Sequence, residues 1–260
     1  MGIILPLISC SDQVPDSMFI INLEDEEFST FINELPLNGG RSMTRLNFQT
    51  LDTSFCDNAK LSASAFMDEG SIEIKIHEIT LDQNDCGRYA AQPSRNLNID
   101  ILEEGDYPVR LQMGTNVFYE GSLEVNADFY RLQIPQAPSI NITPEVTYKI
   151  PEGAVWYRIY HLPAQDSFAR DCIQTTQQLC TQPSLPDGFY SAFTRTNNSS
   201  ELTAVDAYPH LQHKDAMMVL NPASHNLSDI EAIFSQYKEA AGHQFIIVCD
   251  TWKAERIVIK

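Results

Sequence analysis

The sequence predicts a mainly β protein, built as an N-terminal antiparallel β-sandwich followed by a smaller α+β domain with one main helix. Three observations carry this reading. Apolar and polar residues alternate with period two through the first half. Prolines crowd residues 135 to 151. One capped, amphipathic stretch with helical spacing stands near the C-terminal end.

In the first half, Arg45 to Leu51, Ile72 to Ile79, Leu97 to Ile101 and Phe129 to Ile134 alternate as half-buried strands do. Turn-forming residues separate them: Asn38-Gly39-Gly40, Glu69-Gly70, Glu104-Gly105-Asp106 and Met113-Gly114-Thr115-Asn116. The segment Gly105 to Gly114, followed by Tyr119 to Val125, resembles the closing hairpin of an Ig-like or transthyretin-like module. That resemblance implies a sandwich fold and no particular activity. Pro135, Pro138, Pro144 and Pro151 then predict a stiff connection, with the domain junction near residue 143. The expected division is a leader and tether at 1–17, a sandwich at 18–143 and an α+β domain at 144–260. In the second half, Ala154 to Tyr160, Gly188 to Phe193 and Ala216 to Leu220 read as strands. Ser228 to Ala241 reads as the helix, opened by a capping box of Ser228 and Glu231 and stopped by Gly242. Gln244 to Cys249 and Arg256 to Ile259 are the final strands.

Composition narrows the function. Hydrophobic residues are 43% and charged residues 20%, as in folded globular chains. The net charge is −18 and most of the acidity lies before residue 143. Such a chain is poorly suited to phosphate backbones, so no nucleic-acid partner is expected. No phosphate loop, dinucleotide fingerprint or nucleophile elbow occurs, so no cofactor is expected either.

The N-terminus carries an address. Residues Leu7-Ile8-Ser9-Cys10 close a short apolar run and precede Ser11, Asp12 and Gln13. This resembles the lipobox of bacterial lipoproteins. The resemblance implies cleavage before Cys10, lipidation of its thiol and a membrane anchor. Ser11 after the cysteine implies outer-membrane sorting, hence a place in the cell envelope. No stretch reaches the 18 or more apolar residues of a spanning helix. With Cys10 set apart, five of the six cysteines remain. The spacing suggests two local disulfides, Cys56 with Cys86 and Cys172 with Cys180, and a core thiol at Cys249.

Candidate chemistry is sparse. His210 and His213 form an H-x-x-H pair in a loop, with His225 downstream, and are candidate metal ligands. No Cys or Glu completes the set. Asp82 to Gly87 partly imitates a calcium loop but has Pro93 where a bidentate Glu belongs, so a turn is expected. Glu24 to Glu27 reads as a solvated strand end. Cys249 next to Asp250 could be a nucleophile, but His243 sits too far along the same strand to activate it, and a core thiol is the plainer reading. Trp156, Tyr157, Tyr160, Phe189, Tyr190 and Phe193 either floor a cleft or fill the second core. Two functions remain open: a lipid-anchored, non-enzymatic binding or assembly subunit with a protein partner, or an extracytoplasmic hydrolase with carboxylates or histidines on second-domain loops.

Overall fold

A computed structural model describes residues 18–21, 23, 26–82, 86, 91–196, 202–204, 214–220, 227–242 and 245–260. The chain is mainly β, with sheets of mixed orientation and two helices. Strands β2 (Phe28–Leu37) and β3 (Arg41–Thr50) form a long hairpin, flanked by β6 (Ser94–Asn98) and β10 (Ile140–Ile142) in a four-stranded sheet. A ten-stranded sheet faces it. Its first part contains β1 (Met18–Ile21), β4 (Lys60–Asp68), β5 (Ser71–Asp82), β7 (Gly105–Met113), β8 (Val117–Val125) and β9 (Phe129–Gln133). One apolar core joins the two sheets, with Phe28, Leu46, Phe48, Ile72, Ile76 and Leu111 all nearly inaccessible to water.

The isoleucine pattern of β5 shows how register is kept. Ile72, Ile74 and Ile76 face inward by strict alternation, but Ile79 is an odd step further on. A bulge between the Ser62 and Ala63 pairings takes up the extra residue, so Ile79 also points into the core. The expected purely antiparallel arrangement is not what forms. β5 and β7 run parallel, as do β10 with β2 and β11 (Val146–Tyr148) with β13 (Gly188–Tyr190). Between β5 and β7 the chain crosses to the opposite sheet to lay down β6, and such a crossover returns the next strand parallel.

The Pro-rich stretch 135–151 is woven into the sheets. β10 pairs with β2, and β11 (Val146–Tyr148) pairs with β9. From β11 the ten-stranded sheet continues into the second half as β13 (Gly188–Tyr190), β14 (Phe193–Arg195) and β15 (Leu202–Ala204). The remaining strands make a third, antiparallel sheet: β16 (Lys214–Leu220), β12 (Val155–His161), β17 (Ile246–Thr251) and β18 (Arg256–Ile259).

This third sheet is covered on both faces. Val155, Tyr157 and Ile159 point to α1 (Asp166–Leu179) and α2 (Leu227–Ala241). Ala154 and Trp156 point the other way, to Tyr190 and Phe193 at the far end of the large sheet. The helix expected at Ser228 begins one residue earlier and ends as expected. Gly242, at φ +86°, donates its N–H to the Lys238 carbonyl at 3.0 Å. The expectation of one main helix needs correction, because α1 is nearly as long as α2. Its buried stripe is Ala169, Cys172 and Thr176, small residues in a segment rich in Gln and Thr. Among the described residues no helix is long and apolar enough to cross a membrane.

Candidate functional site

Strand β2 carries its inward face past the end of the apolar core. Phe28, Thr30 and Ile32 are buried, and the next inward position is Glu34. Opposite it on β3 stands Thr44, and beyond that Ser42. The sandwich interior thus turns polar at this end, where the second half of the chain joins. Tyr130 of β9 lies against Glu34 at this end and is almost inaccessible.

Five segments wall the resulting cleft, whose volume is about 410 Å³. The β2–β3 hairpin supplies Glu34, Gly39, Gly40 and Ser42. The β8–β9 turn supplies Asp128. The segment after β11 supplies Lys149, Ile150 and Glu152. Trp156 and Trp252 complete it. Each wall is held by a local device. Asn126 accepts the N–H groups of Asp128 and Phe129 at 2.9 and 2.8 Å, which fixes the β8–β9 turn. The Lys149 N–H donates to the Asp128 carbonyl at 2.8 Å, and the Trp252 N–H to the Ala154 carbonyl at 3.1 Å. Thr251 Oγ1 accepts from the N–H groups of Lys253 and Glu255, shaping the β17–β18 turn. Gly40, at φ +76°, lies directly against the Trp252 ring. A Cβ there would come within 2.2 Å of it, so only glycine allows this approach.

Glu34 ties the two halves together. Its carboxylate accepts the Ile150 N–H at 3.2 Å, and its own N–H donates to Ser191 Oγ at 2.5 Å. Burial pushes the carboxyl above its ordinary value of 4.5. Ile150, Ser42, Tyr130 and the charge of Lys149 pull it back only in part. Burial likewise raises the Tyr130 hydroxyl, helped by the charge of Glu34. Lys149 sits with Nζ 4.8 Å from the Tyr130 ring centroid. Burial lowers its ammonium from its ordinary value, against the pull of Glu34, Glu104 and Asp128. The cleft therefore holds a carboxyl whose pKa burial raises, an ammonium whose pKa burial lowers, two exposed carboxylates and two indoles. A perturbed acid in a concave, mixed polar and aromatic pocket is the usual mark of a binding or active site.

Several residues singled out in the sequence fall elsewhere. Cys10, His210, His213, His225 and His243 lie outside the described residues, as do Glu24, Asp25 and most of the calcium-like loop. Cys56 and Cys86 are joined by a disulfide. Cys172 and Cys180 are not, and the staple expected there is corrected: both are buried free thiols. The reason is α1. Eight residues of helix rise about 12 Å, about twice the Cα separation a disulfide tolerates. Cys249 is a fully buried thiol whose pKa burial pushes up to about 12, so it is inert packing against Tyr157 and not a nucleophile. Tyr157, Tyr190 and Phe193 fill cores, and of the six aromatics only Trp156 reaches the cleft. Among the described residues no group of His, Cys, Asp or Glu is placed to hold a metal ion.

The sequence reading missed Glu34 and Lys149. The signal for Glu34 was present: Phe28, Thr30 and Ile32 alternate inward, and Glu34 is the next term. No family model matches the chain, and no curated protein or solved structure matches it either. Fold and cleft alone define its class: a disulfide-bonded, mainly β protein with a polar and aromatic cleft where its two halves meet.

Proposed function

We propose that this chain is an exported, lipid-anchored envelope protein that works as a non-enzymatic binding subunit, its ligand seated in the Glu34 cleft. The single observation that carries the binding role is that cleft, formed by five segments of both halves around one buried, perturbed carboxyl. The address rests on Leu7-Ile8-Ser9-Cys10, and the Cys56–Cys86 disulfide supports an oxidising compartment. We also read the sandwich as Ig-like or transthyretin-like. The β7–β8 hairpin supports this, as does the Tyr107 hydroxyl donating to the Glu103 carbonyl four residues upstream at 3.0 Å.

A hydrolase is the second reading, favoured by the raised pKa of Glu34, which suits a general acid. Native mass spectrometry of the protein released gently from its envelope separates the two. Binding predicts a non-covalent small-molecule adduct that persists over hours and is lost in the variant Asp128→Asn/Glu152→Gln. An adduct whose mass falls with time as it is cleaved would support the hydrolase, and no adduct would count against both.

A further inference from the structure

We infer that the Glu34 cleft takes a neutral, polyhydroxylated molecule, a sugar of one or two rings; this rests on the reading of the cleft as a binding site. Its volume of about 410 Å³ lies within the range of about 300–1,000 Å³ typical of small-molecule sites. Charge then selects among ligands. Glu34, Asp128 and Glu152 line the cleft against one ammonium, Lys149. An anionic ligand meets an excess of carboxylates. A cationic ligand meets the Lys149 ammonium, seated 4.8 Å from the Tyr130 ring centroid.

A molecule bearing many hydroxyls avoids both conflicts. Its O–H groups donate to the exposed carboxylates of Asp128 and Glu152, in charge-assisted bonds stronger than neutral ones. Its oxygens accept from Lys149. Its C–H faces meet indole, the side chain with the largest apolar surface and a polar edge. Lys253, on an exposed side chain, lies with its Nζ 5.2 Å from the Trp252 ring centroid. A surface cation–π contact of this kind is worth about 0.5–1 kcal/mol and yields to a better occupant.

The molecule carries its own reporter. Its two tryptophans, Trp156 and Trp252, both line the cleft, so intrinsic tryptophan emission responds to occupancy. The full-length protein is titrated with glucose, N-acetylglucosamine, maltose and chitobiose, and in parallel with putrescine and citrate, each into the millimolar range. The expected result is a saturable emission change with at least one sugar and with neither charged probe. It should weaken at least tenfold in Asp128→Asn/Glu152→Gln, whose exposed side chains leave folding intact. A saturable response to putrescine or citrate that the double variant removes would overturn the sugar assignment while leaving the cleft as a binding site. Silence with every probe would overturn the assignment. A sugar response that the double variant leaves unchanged would place the sugar outside the cleft and overturn it as well.

Discussion

At the residue scale, Glu34 is the informative position. Burial raises its pKa above the ordinary carboxyl value in the folded state. A carboxyl whose folded pKa is raised contributes stability that is fully present below its ordinary value of 4.5 and is lost as pH rises through the folded value. Glu34→Gln removes that dependence while keeping an acceptor for the Ile150 N–H. The melting temperature of Glu34→Gln relative to wild type should therefore be higher at about pH 8 than at about pH 5; a gap that does not move with pH would contradict the burial of this carboxyl. Gly40 gives a second test. Gly39→Ala meets only the backbone cost of a positive φ, about 1 kcal/mol, because nothing lies near its Cβ. Gly40→Ala adds a collision with Trp252, so it should cost about 1–3 kcal/mol more by denaturant unfolding and also shift tryptophan emission. Equal losses at both positions would remove the close approach. The inward place of Glu34 was legible in the alternation of Phe28, Thr30 and Ile32. Its partners were not, because Ile150 and Ser191 follow it by 116 and 157 residues.

At the element scale, strands were more legible than pairings. β5 and β9 stand close to where alternation put them, β7, β8 and β12 close to where the hairpin resemblance and the aromatic run put them, and α2 is bounded by Gly242 as its spacing implied. Alternation fixes which face a strand buries but not its neighbour, so the parallel pairs were hidden. α1 was hidden for another reason. Its buried positions 169, 172 and 176 keep helical spacing, but Ala, Cys and Thr make a weak apolar signal. A loop there would allow a Cys172–Cys180 staple, whereas α1 holds the two thiols apart. With α1 in place, Cys172, Cys180 and Cys249 are all sealed around Tyr157, whose hydroxyl meets Thr176 Oγ1 at 2.6 Å. A maleimide should leave these three unlabelled in the native protein and modify all three after denaturation without reductant, as read by peptide mapping. Rapid native labelling at Cys172 or Cys249 would contradict the packing of α1.

At the scale of the whole molecule, the two halves share one sheet. β11 completes the edge of β9. Thr147 Oγ1 donates to the buried Ile32 carbonyl at 2.7 Å, and Glu34 waits for Ile150. A fragment ending at residue 143 loses all three at once. It should therefore not melt cooperatively by circular dichroism, whereas the whole chain should; a sharp, reversible transition in the fragment would show that the sandwich stands alone. The Pro-rich stretch concealed this because prolines mark both linkers and the short edge strands β10 and β11, and composition does not separate the two. The cleft exists only because the halves are joined in this way, and the proposed lipid anchor would set where it meets its ligand. Intact-mass spectrometry of the denatured protein, purified from the envelope of cells that make it, tests that placement most directly. The account predicts a chain starting at Cys10 and carrying the added mass of acyl groups. A chain retaining Met1 with an unmodified Cys10 would contradict it.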